Sequence, residues 1–354
     1  MTTYNIAVIP GDGIGDEVVA QGLRVLQELE KKKKVKFQFT EFSWGSEHYL
    51  STGRMMPSDG LDRLLPFDAI YFGAVGHPDI QDHITLNGLL LPMRRAFDQY
   101  VCLRPSVLYG GVASPLAGKS PGDIDMLVIR ENTEGEYANI GGFQYQNSPQ
   151  ETAVQSSIFT RYGCERVIRY AFDLAVSRKR KHVTSITKSN AQGYGMVLWD
   201  KVFLSVAEEY PGITTDSQLI DAACMNFVRK PEFFDVVVGS NLFGDILTDI
   251  GAIITGSMGL AASANLNPTR KYPSLFEPVH GSAPDIAGRG IANPLAAILS
   301  VAMMLDHLGE QELSSEVERG TLAVLNDHTV LTPDLGGTAS TEEVGSAVVE
   351  QLFH

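Results

Sequence analysis

Six short runs rich in apolar and β-branched residues recur along this chain. They are "NIAVIP" (5–10), "VKFQFTEF" (35–42), "DAIYFGAVG" (68–76), "DMLVIREN" (125–132), "HVTSITKSN" (182–190) and "FDVVVGSN" (234–241). Between them lie stretches of helical character over 16–31, 165–179, 195–210 and 244–256. A helix between two strands carries the chain back over a sheet, so this alternation predicts an α/β fold with a largely parallel sheet. At 354 residues the chain is long for one hydrophobic core, and two lobes are expected. Gly and Pro gather at 104–122 and 257–294, where the chain would cross between lobes.

The formal charge is −14, from 28 Lys plus Arg against 42 Asp plus Glu. Such a chain repels phosphate backbones, so nucleic acid is not an expected partner. Basic residues at a site would then be local exceptions, suited to small anions. Cys102, Cys164 and Cys224 are odd in number, widely spaced and outside any CxxC, which points to reduced thiols. The chain enters its first strand almost at once, with no basic-then-apolar leader, so a cytoplasmic protein is expected. The most apolar helical stretch, "NPLAAILSVAMML" (293–305), is too short to span a bilayer and reads as a buried or subunit-facing helix. The basic run "SRKRKH" (177–182) reads as a solvated helix C-terminus.

The segment "NIAVIPGDGIGDEVV" (5–19) places glycines at 11, 13 and 15 between strand and helix, the order of a dinucleotide-binding unit. The fingerprint GxGxxG is not completed, because Asp16 stands at the third glycine and Glu17 follows. Two carboxylates there suit the helix dipole but oppose a pyrophosphate at the same helix end. A structural or partly contacting turn is the better expectation, although Glu41 ends the second strand where a ribose-binding acid would sit.

In "FDVVVGSNLFGDILTDIG" (234–251), Asp245 and Asp249 lie four apart at an expected helix start, so they share one helical face. Their like charges repel unless a cation sits between them. Carboxylate oxygens suit Mg²⁺ or Mn²⁺ rather than Zn²⁺. A solvated acidic face gives the same spacing, so both readings stay open. Asp221 is a further acid beside an apolar segment, or an ordinary N-cap. Arg94, Arg95 and Arg104, with Arg130 and Tyr137, form a second constellation; guanidinium forks match carboxylates, so several together suit a diacid. Surface ion pairing would explain any one of them alone. Lys188 ends a β-rich run, as a proton-transfer group or a surface lysine.

The motifs "GDGIGDEV", "RENTEGEY", "TKSN", "SNLFGDILTD" and "EPVHGSAPDIAGRGIANP" follow one another across nearly the whole chain. In that order they resemble the β-decarboxylating dehydrogenases, which act on isopropylmalate, isocitrate, or tartrate and D-malate. The resemblance implies a two-lobed isopropylmalate/isocitrate dehydrogenase-like α/β fold without a standard Rossmann motif. It implies a cofactor lobe of residues 1–102 plus 258–354 and a metal-binding and dimerisation lobe of 103–257. A homodimer with shared active sites follows from it too. On this sequence Arg94, Arg104 and Arg130 would hold substrate carboxylates. Asp245 and Asp249, with Asp221 from the second subunit, would bind Mn²⁺ or Mg²⁺. Lys188, also from the second subunit, would take the proton of the C2 hydroxyl, and Tyr137 would deliver one to carbon after CO₂ leaves. The cofactor loop would run through His280, Gly281, Ser282, Ala283, Asp285, Ile286 and Asn293. A carboxylate at Asp285 would take the ribose hydroxyls and favour NAD over NADP.

The segment before Arg94, "GHPDIQDHITLNGLLLPMRR", has Asn87 where isopropylmalate enzymes usually carry a glutamate. Thr85 and Asn87 echo the serine and asparagine of isocitrate enzymes, one residue too far from Arg94. Together with "FTRYGCERVIRYAF" and "SANLNP", the segment is most similar to the tartrate/D-malate subgroup. That implies oxidation of D-malate to pyruvate and CO₂, tartrate as a further substrate, and K⁺ as an activator. 3-Isopropylmalate oxidation is the alternative within the family. Outside it stand a metal-independent Rossmann dehydrogenase and a two-lobed diacid-binding protein without chemistry.

Overall fold

Parallel strands covered on both faces read as unbroken apolar runs, and the first strands show why. The computed structural model describes residues 2–353. Its strands are β1 (Thr2–Gly11), β2 (Val35–Glu41), β3 (Ala69–Ala74), β4 (Val101–Val107), β5 (Asp125–Glu131), β6 (Gly135–Gln144), β7 (Thr152–Ile158), β8 (His182–Thr187), β9 (Thr214–Leu219), β10 (Val236–Gly239), β11 (Ala262–Leu266) and β12 (Ser274–Pro278). All six residues of β3 and the stretch Ile6–Ile9 of β1 are buried.

The chain forms two compact units. The first comprises Met1–Gln99, Leu103–Asp125 and Gly251–His354. Its strands run in the order β2-β1-β3-β12-β11-β4. All the pairings from β2 to β12 are parallel, and β11 is antiparallel to β12. Helix Gly15–Lys32 turns Val18, Val25, Leu26 and Leu29 inward. Helix Leu295–Leu308 is buried almost all round; it packs on β11 and β12 and touches helices Gly15–Lys32 and Gln311–Asp327. The apolar stretch at 293–305 is thus core of its own unit, and subunit contact is not what its composition serves. A cluster around Ile9, Trp44, Ile70, Phe72, Leu89 and Met93 fills the sheet's other side.

Residues 103–125 and 251–257 differ from the expected lobe boundaries, since both fall in the first unit. Local contacts explain it. β4 lies beside β11, Ser114 Oγ donates to the Ile254 carbonyl at 2.6 Å, and Gly111 sits so close to the Leu325 carbonyl that a Cβ would meet its oxygen at 2.0 Å.

The second unit comprises Tyr100–Cys102 and Met126–Ile250, with the parallel order β5-β10-β8-β9. Helices Arg161–Ser177 and Gly195–Ala207 pack together over this sheet. β6 and β7 form a separate antiparallel hairpin that exposes Ile140, Phe143, Tyr145 and Val154. The run 177–182 starts at Ser177, the last residue of its helix, and continues past that C-terminus with Lys179 and Lys181 exposed. Two of its cations share a partner: Arg178 Nε lies 2.6 Å and Arg180 Nε 3.7 Å from the buried carboxylate of Asp235. None of the three cysteines is in a disulfide, and no helix of the described residues is long and apolar enough to cross a membrane.

Candidate active site

Arg130 is the last residue but one of β5 and is 2% exposed. A guanidinium that deep needs acceptors. The adjacent helix Asn241–Ile254 supplies them: Asn241 Oδ1 accepts from Arg130 Nε at 3.1 Å and from Nη2 at 2.7 Å, and Asp245 Oδ1 accepts from Nη1. The helix approaches this closely because residue 244 is glycine; a Cβ there would lie 2.6 Å from that of Arg130. The other oxygen of Asp245 accepts from the Tyr137 hydroxyl at 3.0 Å. Arg130 also lies over the Tyr137 ring, 5.4 Å from its centroid. Burial first, then the Asp245 charge, pushes the Tyr137 phenol up to about 12 against the lowering pull of Arg130. At neutral pH Tyr137 therefore keeps its proton and is an acid with one to give.

Asp245 and Asp249 lie one turn apart in the body of this helix, whose first turn holds no acid. The expectation of a helix start is corrected, and stabilisation by the helix dipole, which fades after one turn, does not account for them. Lys188 and Asp221 come together elsewhere in the unit, Nζ donating to Oδ1 at 2.6 Å. Among the described residues no group of three or more His, Cys, Asp or Glu side chains could hold a metal ion.

In the first unit, Arg94 and Arg104 are 4% and 6% exposed. Arg94 Nη2 donates to Glu277 at 3.1 Å, and Arg104 Nε to Ser263 Oγ at 3.3 Å. Ahead of Arg94, Leu86–Leu90 forms one π-helical turn, in which Asn87 Nδ2 donates to the His83 carbonyl at 2.8 Å.

The 280–293 segment lies against the opening glycine turn. Ile14 N donates to the Ser282 carbonyl at 2.9 Å, and Glu17 Oε1 accepts from Gly288 N at 2.6 Å. Gly13 has φ +60°, and a Cβ there would lie 2.0 Å from the Ser282 carbonyl oxygen. An open cavity of about 550 Å³ is lined by Gly76, His77, Gly281, Ser282 and Ala283 among others. Burial lowers the pKa of His280, so its ring is neutral; its Nε2 is buried without a hydrogen-bond partner. Asn293 binds Asp334 through Nδ2 at 2.9 Å and caps the Leu295 N–H. Asp285 is exposed.

The sequence matches the profile of the isocitrate/isopropylmalate dehydrogenase family over residues 5–348. The chain belongs to that family. It is 54% identical to "D-malate dehydrogenase [decarboxylating]" of Escherichia coli (strain K12), covering 100% of this chain and 99% of that one. It is 52% identical to "Tartrate dehydrogenase/decarboxylase" of Pseudomonas putida, covering 99% and 98%. The crystal structure of isocitrate dehydrogenase from Methylococcus capsulatus superposes with a TM-score of 0.89 at 34% identity, covering 99% of this chain and 100% of that one.

As a family member the chain has an isocitrate dehydrogenase-like α/β fold and stands among oxidative decarboxylating dehydrogenases. Two partners of these candidate residues are not foreseen from the sequence. Glu277, which holds Arg94, opens the quoted motif "EPVHGSAPDIAGRGIANP", so its signal was in view. Asp334 accepts from both Asn293 and Ser257. It sits in "TPDLGG", where nothing local marks it.

Proposed function

We propose that this chain oxidises D-malate with NAD to pyruvate and CO₂, and that tartrate is a further substrate. Full-length identity of 54% and 52% to a D-malate and a tartrate enzyme, against 34% to an isocitrate enzyme, carries the choice of substrate.

In this reaction the C2 hydrogen leaves as hydride and the hydroxyl proton passes to Lys188 of a second copy. The resulting β-keto acid loses CO₂ from C3, and the bonding pair enters the C2–C3 enolate. Tyr137, whose phenol burial holds in its protonated form, gives its proton to C3. Arg94, Arg104 and Arg130 orient the carboxylates, and their burial keeps those guanidinium groups fixed. Asp245 holds Tyr137 and Arg130 in place together.

The oxygen-only donors Asp245 and Asp249 suit Mg²⁺ or Mn²⁺, and Asp221 of a second copy is the proposed third acid. When bound there, the cation supplies Lewis-acid stabilisation of enolate charge. NAD, when bound, accepts the hydride; the unpartnered His280 nitrogen and the open space at Gly281–Ala283 suit its adenosine and phosphates. Asp285, exposed, would take the ribose hydroxyls and disfavour a 2′-phosphate.

A homodimer accords with the apolar residues that the second unit exposes, Phe143 and Tyr145 on its hairpin and Met225 and Val228 on helix Ile220–Arg229. A two-stranded hairpin is marginally stable alone, and a second copy would cover it.

The decisive test is NADH formation from D-malate, L- and meso-tartrate, 3-isopropylmalate and isocitrate, with Mn²⁺, with and without K⁺. D-malate should be turned over best, with stimulation by K⁺, loss of turnover in EDTA and recovery on adding Mn²⁺. Preference for 3-isopropylmalate, or full activity in EDTA, would overturn the assignment. Asp285→Lys should shift selectivity from NAD toward NADP; an unchanged ratio removes Asp285 from the cofactor site.

A further inference from the structure

The motif "SANLNP" (263–268) contributes no residue to the reaction just described, yet its polar side chains are fully enclosed. Ser263 and Asn265 share one face of β11, since side chains alternate along a strand, and Asn267 continues the alternation just past its end. They are 0%, 0% and 2% exposed. Burying three polar side chains in a sheet is unfavourable unless each is satisfied, and their partners converge on the substrate arginines.

Ser263 Oγ accepts from Arg104 Nε at 3.3 Å. Asn265 Nδ2 donates to Glu277 Oε1 at 2.7 Å, and that same oxygen accepts from Arg94 Nη2 at 3.1 Å. Glu277 faces Ser263 across the β11–β12 ladder, so Asn265 reaches it as a diagonal cross-strand neighbour. Asn267 Nδ2 donates to the carbonyls of Phe97 at 3.1 Å and Asp98 at 3.0 Å, where helix Leu91–Ala96, the bearer of Arg94, ends. Its Oδ1 accepts from Thr269 Oγ1 at 2.7 Å and from Lys271 N at 3.1 Å, which fixes the amide's orientation.

We propose that β11 is a positioning strand for diacid recognition. Ser263 orients Arg104 directly. Asn265 orients Arg94 through Glu277, and Asn267 fixes the end of the helix that carries Arg94. One rigid strand thereby sets both guanidinium groups, and two-point carboxylate binding needs fixed donors. The proposal rests on Arg94 and Arg104 holding substrate carboxylates.

The experiment compares Ser263→Ala, Ser263→Thr and Asn265→Ala with wild type, measuring KM for D-malate, KM for NAD, kcat and Tm. Loss of a hydrogen bond to a charged group should raise KM for D-malate about tenfold in Ser263→Ala and Asn265→Ala. KM for NAD should stay within about twofold. Ser263→Thr, which keeps the hydroxyl, should restore the wild-type KM. Folded variants that keep the wild-type KM for D-malate, or that raise both KM values together, overturn the proposal. Should Asn265→Ala fail to fold, the Ala and Thr variants of Ser263 decide. A wild-type protein that oxidises no diacid removes the proposed function instead, and the positioning role falls with it.

Discussion

Tyr137 carries the sharpest consequence at the scale of single residues. Its hydroxyl is bonded to Asp245, and burial together with that charge holds its proton on. Tyr137→Phe should cut oxidative decarboxylation of D-malate about 10²- to 10⁴-fold. Reduction of added oxaloacetate by NADH should fall less, because it needs no proton at C3. Equal loss in the two assays would remove Tyr137 as the donor to carbon. Glu131, next to Arg130 in sequence, gives a stability prediction. Burial pushes its carboxyl up to about 7, although the N–H groups of Thr133 and Glu134 and the Thr133 hydroxyl all donate to it. The folded protein thus holds this proton more tightly than the unfolded chain does. The contribution is full at acid pH and is lost as pH rises through about 7. The unfolding free energy of Glu131→Gln relative to wild type should therefore rise between pH 5 and pH 8, by at most an amount on the order of 3 kcal/mol, with Tm rising in parallel. A difference that is flat with pH would show that Glu131 is already ionised in the folded state.

At the scale of elements, the opening turn and the 280–293 segment behave as one device. Asp16 and Glu17 break the phosphate-binding fingerprint, and Glu17 is spent on Gly288 N at 2.6 Å. Gly13 lets the turn approach the Ser282 carbonyl where any side chain would collide. Gly13→Ala should displace the segment and raise KM for NAD about tenfold, with a smaller change in KM for the diacid. An unaltered KM for NAD in a folded variant would separate the turn from cofactor binding. The helical elements were unequally visible. Helix Gly15–Lys32 matched its expected span of 16–31, because it shows one apolar stripe. Helices Gln311–Asp327 and Thr341–Gln351 went unread, although Ser340 and Glu343 form a capping box that the sequence displays.

At the scale of the molecule, the proposed proton-transfer groups fall into two separate pairs. Lys188 and Asp221 lie together, Tyr137 and Asp245 lie together, and no metal-sized acid cluster forms among the described residues. If sites are shared between copies, Lys188→Met and Tyr137→Phe should complement each other. A heterodimer of the two has one site with both native groups and one with neither. Co-expression should then restore roughly a quarter of wild-type activity by statistical pairing of subunits. Activity no greater than that of the two variants assayed separately would show that each chain supplies its own pair.

Strand and helix alternation determined the α/β class, since the burial of parallel strands demands continuous apolar runs. Motif order determined the family, and the four-residue spacing determined that Asp245 and Asp249 share a face. Only the tertiary structure decided which partners the charges have. Arg178 and Arg180 neutralise the buried Asp235, 57 residues downstream of Arg178, and Arg94 finds Glu277 across a separation of 183 residues. Local sequence registers periodicity, because neighbouring side chains obey the geometry of their own helix or strand. It does not register a hydrogen bond formed when distant strands meet, and β11 and the lobe boundary are both set by such meetings.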